Sequence, residues 1–249
     1  MTGWPEGYGR TVLTEVDSTL SEAARRATDL AGLEWILGLN QTAARGRRGR
    51  AWSMPAGNFA ATLVLPMREA PGDAALRSFV ISLALHDAFV AATGRGDAFA
   101  LKWPNDVLLR DGKVAGILLE SISTGAAVTH LAIGVGVNLK TAPGADQVEE
   151  GAVRPVALKS ELGVNITPQA FLNLLAQSYA RYEAQFVTYG FAPIRTAWLA
   201  RAARLGEVIT ARTTREAYQG TFADVDADGQ LVLETPKGRV RIPAGDVYF

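Results

Sequence analysis

The sequence contains no cysteine and only two histidines, His86 and His130, among its 249 residues. Disulfides and thiolate metal sites are therefore excluded, and we expect no metal site built from histidines. The N-terminal stretch MTGWPEGYGR lacks a basic segment followed by an apolar run, which predicts that there is no signal peptide. An uninterrupted run of about 18 apolar residues is also lacking, so we expect no membrane span and favour a cytoplasmic protein.

The chain has no net charge, since 25 basic residues balance 25 acidic ones. General binding of nucleic acid depends on a broad basic field, so neutrality argues against that function. Apolar residues make up 48% of the sequence, which at this length is enough to form a large core.

Against this neutral background, the stretch ARGRRGRAW at residues 44–52 concentrates positive charge. Its four arginines are Arg45, Arg47, Arg48 and Arg50. The nearest acidic residues in the sequence are Glu34 and Glu69, so we expect repulsion and glycine entropy to leave the segment mobile. Guanidinium groups bind phosphate and carboxylate oxygens in pairs. The segment is therefore either a solvated basic loop, a contact for nucleic acid, or one wall of a site for a polyanion.

Hydrophobic periodicity and turn residues predict a chain of mixed helices and strands. One helix begins with Thr19 as N-cap and Glu22 completing a capping box. The other predicted elements are, in chain order, a strand over 62–66, a helix from Asp73 to its stop at Gly94, a loop over 140–160, a helix over 167–186 with Thr167 as cap, and a shorter helix that ends near Leu205. From Gly206 onward, short strands and turns predict a small β-barrel.

The stretch THLAIGVGVNL at residues 129–139 predicts a strand with one face of small side chains. That face carries Ala132, Gly134, Gly136 and Asn138, and it leaves room for a ligand to lie against the backbone. His130 shares the face and its role stays open, whereas His86 borders an apolar helix stripe and is expected to pack.

The stretch LKWPNDVLLRDGKVAGILLE predicts a hairpin with charged groups on one side. A turn at Asp111 and Gly112 pairs Arg110 with Lys113, and Asp106 then lies opposite Ile117. In this register Lys113 and Asp106 share a face and stand about 13 Å apart along the strand. The arrangement is either an ordinary surface hairpin or a spacing suited to a small molecule joined to a nucleotide.

Five motifs in this order resemble the biotin protein ligase family: DST at 17–19, QTAARGRRGRAW at 41–52, KWPND at 102–106, GKVAGILLE at 112–120 and GVGVN at 134–138. The resemblance implies an α+β fold. A class II aminoacyl-tRNA-synthetase-like catalytic domain, a mixed sheet with helices, is expected at residues 1–204, followed by a small SH3-like β-barrel at 205–249. Longer members of the family carry an N-terminal winged helix that binds DNA. This sequence starts at the catalytic domain, so we expect a monofunctional form that is not a repressor.

The resemblance also implies a reaction in two steps. The biotin carboxylate attacks the α-phosphate of MgATP, giving biotinyl-5′-AMP and pyrophosphate, and a lysine of a biotin carboxyl carrier domain then displaces AMP. The implied cofactors are biotin as substrate, ATP and Mg²⁺, and a homodimer is possible. Because both nucleophiles belong to substrates, the protein has to supply positioning and electrostatic stabilisation.

By the same resemblance, one set of side chains holds biotin and another holds the phosphates. Ser18, Thr19 and Gln41 are expected on the ureido ring, and Trp52 near adenine. Lys113 is expected at the biotin carboxylate or α-phosphate, and Arg48 and Arg50 either face phosphates or order the loop. Lys102, Asn105, Asp106 and Asn138 are expected around the phosphates and Mg²⁺. The catalytic candidates are Lys113, Asp106 and Arg45, with Asp106 orienting or deprotonating the incoming lysine. The full expected binding set is Ser18, Thr19, Leu20, Gln41, Arg45, Gly46, Arg47, Arg50, Trp52, Lys102, Asn105, Lys113, Gly116 and Asn138.

Three positions depart from the family pattern, and two other functions stay open. Ala44 replaces a usual glycine, Leu20 replaces a usual asparagine after DST, and Ala60 stands where an aromatic residue is common, which predicts a wider pocket wall. A lipoate–protein ligase shares the reaction, but the glycine run of those enzymes after an Arg-Arg pair is missing here. A non-catalytic protein that binds biotin or an adenylate is the other alternative, and retention of Lys113 argues against it.

Overall fold

The computed structural model of the chain describes residues 3–67, 70–124, 127–144, 148 and 151–249. Its helices are α1 (Thr19–Arg26), α2 (Pro71–Ala75), α3 (Arg77–Thr93), α4 (Leu158–Leu162), α5 (Pro168–Tyr189) and α6 (Phe191–Leu199). Its strands are β1 (Tyr8–Leu13), β2 (Leu33–Gly38), β3 (Phe59–Pro66), β4 (Phe99–Lys102), β5 (Asp106–Leu109), β6 (Gly112–Thr124), β7 (Ala127–Val137), β8 (Val208–Arg212), β9 (Ala217–Val225), β10 (Leu231–Thr235), β11 (Gly238–Ile242) and β12 (Asp246–Tyr248).

The strands form two sheets that follow each other in the chain. The first has the order β1-β2-β3-β7-β6-β5-β4, and only its β1–β2 pair is parallel. The second sheet is antiparallel throughout, with the order β11-β10-β9-β8-β12. A mixed sheet with helices, followed by a small all-β unit, confirms the predicted α+β fold class.

One face of the large sheet packs against α3 and α5, and α6 packs on these two helices; together they form the main core. Aromatic rings meet there in edge and stacked pairs, such as Phe89 with Phe99 and Phe59 with Phe171. The region Gly72–Thr93 is apolar enough to cross a membrane, with a mean hydropathy of 1.4, but 72% of it is buried inside the fold. Neighbouring elements therefore cover this region on most of its circumference, as is usual for a helix in a protein core.

The opposite face of the large sheet is covered only in part. Helix α1 lies over one portion of it, where its Leu20 and Ala23, with the adjoining Ala27, pack against Ile36 and Val64 of the sheet. The remainder of this face carries small residues, and the functional side chains described below surround it.

The second sheet docks on the first through specific polar and steric contacts. The indole N–H of Trp103 donates to the carbonyl of Gly229 at 3.1 Å. Gly229 has a φ of +77° and sits so close to Leu76 and Phe79 that an added Cβ would lie 2.9 Å from each side chain. The two units therefore meet at a tight contact rather than through a loose linker.

Several predicted elements are confirmed. Strand β3 contains residues 62–66, α3 ends at Gly94 in the left-handed conformation, and Thr167 caps α5 by accepting from the Ala170 N–H. Short strands dominate after Gly206 as expected. The predicted loop over 140–160 ends in α4, and its residues 145–147, 149 and 150 lie outside the described residues.

The predicted capping box at α1 is wrong. Ser18 is the N-cap residue, and its side chain makes no cap hydrogen bond. The Glu22 carboxylate pairs with Arg25 and Arg26, which are stronger partners than a backbone N–H. The Thr19 hydroxyl instead donates to the side chain of Gln41 at 3.1 Å.

Two other helix ends differ from prediction. Asp73 lies inside α2, whose N-cap is Ala70. Helix α6 ends at Leu199 rather than near Leu205, because the next residues hydrogen-bond to edge strand β4. There the Leu101 N–H donates to the Arg201 carbonyl, and the Ala203 N–H donates to the Leu101 carbonyl.

Candidate active site

A row of residues without large side chains crosses the open face of the large sheet. Register pairs Gly38 with Ala60, Ala60 with Gly136, and Gly136 with Gly116 on successive strands. The row continues into Asp106 and then Lys102. Paired residues share a face, and neighbouring strands stand about 4.8 Å apart, so Gly38 and Lys102 are about 24 Å apart across the sheet. We call this row, from Gly38 to Lys102, the trench.

From Ala60 to Lys102, the trench forms the floor of a cavity of about 710 Å³. Its Gly38 end is covered by the side chains of Thr19 and Gln41. The fifteen residues of the expected catalytic and binding sets all line this cavity, whereas Arg48, also expected at the phosphates or in ordering the loop, is outside the lining. They are Ser18, Thr19, Leu20, Gln41, Arg45, Gly46, Arg47, Arg50, Trp52, Lys102, Asn105, Asp106, Lys113, Gly116 and Asn138. The predicted small face of β7 is also confirmed, since Gly134 and Gly136 lie in the same lining.

One end of the cavity is a cluster of buried hydroxyl and amide groups. Thr19 donates to Gln41 Oε1 twice, from its backbone N–H at 2.7 Å and from its hydroxyl at 3.1 Å. Ser18 accepts from an Arg45 N–H at 3.2 Å. Ser18 and Thr19 are 2% and 3% exposed, so water competes little for these groups. This end suits a small polar ring that carries both donors and acceptors.

The other end of the cavity is a cluster of buried charges. The Lys113 ammonium lies 2.7 Å from Asp106 Oδ1, and the Lys102 ammonium lies 3.6 Å from Asp106 Oδ2. Asp106 and Lys102 are both less than a tenth exposed. Two ammonium groups around one carboxylate leave a net positive charge, which suits an anionic ligand.

The pKa values of this cluster follow from burial and mutual attraction. Burial acts to raise the pKa of Asp106, but Lys113 and Lys102 outweigh it, and the pKa lies below the usual value of 3.8. For Lys102, burial is the largest effect and lowers the pKa below 10.5 in spite of Asp106. Asp106 is therefore ionised at neutral pH.

The predicted hairpin register around Lys113 is wrong. Leu109 pairs with Gly112, so Arg110 and Asp111 form the turn, both with positive φ, and Asp106 pairs with Gly116 rather than Ile117. A β-bulge between Val107 and Leu108 shifts the pairing by one residue. Lys113 now pairs with Leu108, two residues from Asp106, so the two positions stand about 7 Å apart along the strand instead of the predicted distance of about 13 Å. At this separation the Lys113 ammonium reaches the Asp106 carboxylate directly.

The arginine segment has protein partners that are distant in sequence. Arg45 forms a two-point ion pair with Glu120, with contacts of 3.1 and 2.7 Å. Arg47 and Arg48 share the Asp246 carboxylate of β12, at 3.0 and 2.7 Å. The segment is therefore partly neutralised by the protein itself, in contrast to the expectation drawn from Glu34 and Glu69. Its mobility stays a prediction.

Trp52 and Asn138 present buried polar atoms with no partner within the described residues. The Trp52 ring lies on the trench, where a Cβ at Gly136 would stand 2.6 Å from the indole, and its Nε1 is unpaired. The Asn138 amide donates to the Val156 carbonyl at 3.1 Å, while its Oδ1 stays unpaired. Because buried polar atoms rarely lack partners, both indicate that a ligand completes the site.

The three departures and the histidines have clear positions. Leu20 packs over Gly134, where an added Cβ would meet it at 2.9 Å, so its side chain covers this part of the sheet. Ala60 lies within the trench and is 2% exposed. His86 is buried beside Asp87 as expected, and His130 contacts Thr129 outside the cavity lining. The described residues contain no cluster of three His, Asp or Glu side chains suited to a metal ion.

Sequence reasoning missed two parts of the cavity wall. Asp246, Val247 and Tyr248 reach it from the second sheet, and Pro143, Val148 and 151–153 with Pro155 close another side. Pro155 is placed by a parallel bridge to Lys113, whose N–H donates to the Arg154 carbonyl. No local pattern marks these residues. The one signal in the sequence was the charge of the arginine segment, which indicates that an acidic residue elsewhere in the chain has to pair with it.

The comparisons with known proteins agree with this geometry. Residues 12–138 match the biotin/lipoate A/B protein ligase family, and residues 205–249 match the biotin protein ligase C terminal domain. The chain is 54% identical to the biotin–[acetyl-CoA-carboxylase] ligase of Paracoccus denitrificans, over 96% of this chain and 99% of the relative. It is 28% identical to the bifunctional ligase/repressor BirA of Escherichia coli strain K12, over 93% of this chain and 71% of that protein.

Solved structures show the same fold. The biotin protein ligase from Aquifex aeolicus in complex with biotin and ATP gives a TM-score of 0.82 at 22% identity, over 96% of this chain and 97% of that chain. The biotin protein ligase from Leishmania major in complex with biotinyl-5-AMP gives a TM-score of 0.67 at 21% identity, over 96% of this chain and all of that chain. With more than half of its residues matched and a close relative over nearly its full length, the chain belongs to the biotin/lipoate A/B protein ligase family.

Proposed function

We propose that this protein is an ATP-dependent biotin–protein ligase that forms biotinyl-5′-AMP and transfers biotin to a lysine of a biotin carboxyl carrier domain. One observation carries the proposal: a single cavity joins a hydroxyl and amide cluster at one end to a net positive cluster at the other, over a floor of small residues between them. From Ala60 to Lys102 this floor spans about 19 Å, a length suited to a ring and an acyl chain joined to a nucleotide. The 54% identical relative supports the same reaction.

In the first step, a biotin carboxylate oxygen attacks the α-phosphorus of ATP, and the bond to the β-phosphate oxygen breaks with release of pyrophosphate. Two anions have to approach each other, so fixed positive charge has to lie between them. The Lys113 ammonium is the group placed for this role, because it projects into the cavity beside the Asp106 carboxylate. Arg47 and Arg50, which also line the cavity, face the polyphosphate.

In the second step, a lysine amine of the carrier domain attacks the carbonyl carbon of the mixed anhydride, and AMP leaves. Asp106 is the candidate group to orient that amine, since it is the buried, ionised carboxylate of the cavity's charged end. It is held by two lysines, so its role is to orient by charge rather than to take up the proton.

Mg²⁺ enters with the nucleotide in this proposal. The described residues contain no acidic cluster to hold the ion alone, and Asp106 is already engaged by Lys102 and Lys113. The donors that fit are phosphate oxygens together with the unpaired Oδ1 of Asn138. The ion supplies charge neutralisation at the phosphates.

Biotin fits the hydroxyl and amide end better than lipoate does. A ureido ring offers one carbonyl acceptor between two N–H donors, and the cluster of Ser18, Thr19 and Gln41 offers donors and acceptors at close spacing. A dithiolane ring would leave the remaining hydrogen-bonding positions of this buried cluster, such as the Ser18 O–H, without partners, which is costly.

Further expectations stay part of the proposal. We expect a domain boundary between 204 and 205, and a cytoplasmic location where ATP is available. We expect no DNA-binding or membrane-binding function for the described residues. A homodimer is possible through strand β1, an edge strand whose Val12 is 45% exposed.

The test is ATP–pyrophosphate exchange with purified protein. We expect exchange that depends on biotin and not on lipoate, followed by transfer of biotin to a carrier domain but not to the same domain with its acceptor lysine changed to arginine. Exchange with lipoate alone would identify the alternative ligase. Tight biotin binding without exchange would identify a non-catalytic binding protein.

A further inference from the structure

A buried threonine on strand β3 contacts the hydroxyl and amide cluster from below. Thr62 is 0% exposed, and its hydroxyl lies 2.9 Å from the hydroxyl of Thr19. This is the only side-chain hydrogen bond of Thr62 within the described residues. Valine has the same shape and would avoid the cost of burying a hydroxyl, so the position carries a polar group where packing alone does not require one.

The hydrogen bonds of this cluster have a fixed direction. The Thr19 backbone N–H can only donate, so the Gln41 atom 2.7 Å away is the acceptor oxygen Oε1. The Thr19 hydroxyl, which also contacts Oε1, has to donate its single proton there. The hydroxyl of Thr62 therefore has to donate to Thr19, and the chain of donors runs from Thr62 through Thr19 to Gln41.

This direction decides what Thr19 can offer to a ligand. Its proton is used by Gln41 and one lone pair is used by Thr62, which leaves one lone pair as an acceptor. Ser18 differs, because it accepts from Arg45 and keeps its own proton free to donate. Neighbouring positions at this end of the cavity therefore offer one acceptor and one donor, which matches an N–H beside a carbonyl.

We propose that Thr62 is a positioning residue that fixes the Thr19 hydroxyl as a hydrogen-bond acceptor and thereby selects a ring N–H in the substrate. This inference rests on the proposed function, because it assigns the ring end of biotin to Thr19. Thr62 acts through Thr19 and does not line the cavity itself. Without the Thr62 donor, the Thr19 hydroxyl loses one of its two anchors and spends less time in the orientation that receives the N–H.

The experiment compares three variants in biotin-dependent ATP–pyrophosphate exchange. Thr62→Val keeps the shape and removes the donor, whereas Thr62→Ser restores it. Ser82→Ala removes a buried hydroxyl from α3 that bonds to the Phe79 carbonyl, far from the cavity lining. We expect Thr62→Val to raise the KM for biotin by about tenfold, the order of one buried hydrogen bond, with kcat and the KM for ATP within twofold of the parent. Thr62→Ser and Ser82→Ala should keep the parent KM for biotin.

A biotin analogue methylated on both ureido nitrogens separates selection from distortion. It has no N–H to offer, so its weak affinity, measured by calorimetry, should be the same for the parent and for Thr62→Val. An equal loss of affinity for biotin and for this analogue would overturn the proposal, because the substitution would then deform the pocket. An unchanged KM for biotin in Thr62→Val would also overturn it. Absence of exchange in the parent protein would instead reject the proposed function.

Discussion

At the scale of single residues, the cavity is organised by charges whose partners come from other parts of the chain. Asp106 lies between Lys102 and Lys113, and Arg45 is held by Glu120 from β6. Each partner fixes the direction of a side chain that would otherwise sample several rotamers. The charged groups are thus in place before a ligand arrives, which is the arrangement that electrostatic stabilisation requires.

Replacing Lys113 with alanine should remove the charge that screens the two reacting anions. We expect Lys113→Ala to slow biotin-dependent ATP–pyrophosphate exchange by at least about 100-fold, because fixed charge at a reacting centre is worth that much. Circular dichroism should show an intact fold, since Lys102 still neutralises Asp106. Lys159→Ala, on the exposed surface of α4, is the matched control and should exchange at the parent rate. A normal rate in Lys113→Ala would contradict the assigned role.

The lowered pKa of Asp106 makes its contribution to stability depend on pH. A carboxyl group whose pKa is lower in the folded state stabilises the fold above its usual pKa of 3.8, and this stabilisation is lost as pH falls through the lower folded value. The free energy of unfolding should therefore be higher for the parent than for Asp106→Asn at pH 6. The gap should narrow as the pH is lowered below 3.8. Urea unfolding at several pH values measures this difference in the free energy of unfolding between the two proteins. A difference that does not change with pH would show that Asp106 acts by packing alone.

Sequence reasoning predicted which residues meet in the cavity but not how they contact each other. The fifteen residues belong to short motifs whose residue types carry the chemistry. Their partners, such as Glu120 and Asp246, are 75 and 199 residues away from the arginines they hold. The contact of Lys113 with Asp106 depends on a bulge, and a one-residue slip in pairing has no signature in the hairpin sequence.

At the scale of elements, long patterns were predicted well, whereas two of the three predicted helix starts, those of α1 and at Asp73, were wrong. Helix α5 and the small face of β7 follow from periodicity over ten or more residues. The start of α1 depends on which of a few hydrogen bonds forms. The Thr19 hydroxyl bonds to Gln41, which lies 22 residues further along the chain and cannot be identified as its partner from the local sequence. Tertiary contacts thus decide the ends of elements whose existence local patterns already determine.

The segment that carries the arginines is tied to β12 by one carboxylate. We expect Asp246→Asn to free Arg48 and to leave Arg47 held only by Asn105 and the Gly245 carbonyl, because both ion pairs to β12 are lost. The segment should then be more exposed. Limited trypsin digestion of the ligand-free protein should cut after these arginines several-fold faster than in the parent. Asp228→Asn, an exposed change in another turn of the same sheet, is the control. Equal cleavage rates in all three proteins would show that Asp246 does not hold the segment.

At the scale of the whole molecule, two sheets share one site because they meet at a tight contact. The second sheet contributes Asp246 and Tyr248 to the cavity wall, and the Gly229 contact with Leu76 and Phe79 fixes its position. The all-β character of the tail was predictable from its turns. The position at which the tail docks was not predictable, because it depends on steric contacts between individual atoms, such as those of Gly229 with Leu76 and Phe79.

Enlarging Gly229 should loosen this docking. Gly229→Ala places a Cβ 2.9 Å from Leu76 and Phe79 at a φ of +77°, whereas Gly163→Ala has a similar φ of +71° and open space around it. Backbone strain costs each variant about 1 kcal/mol, and the clash adds about 1–3 kcal/mol to the first alone. Each kcal/mol lowers the Tm of a chain of this size by about 2–4 °C, so calorimetry should give a Tm about 2–12 °C lower for Gly229→Ala than for Gly163→Ala. Matching Tm values would mean that the contact relaxes freely.

The trench has a consequence for how such a site can be inhibited. Three successive strands of the cavity floor present alanine or glycine, at Ala60, Gly136 and Gly116, and the Trp52 ring packs on the two glycines. A drug-resistance substitution at these positions would have to add atoms where the natural substrate or Trp52 lies, and it would damage catalysis as much as it repelled the drug. A flat, elongated inhibitor that rests on this floor beside Trp52 should therefore leave few routes of escape.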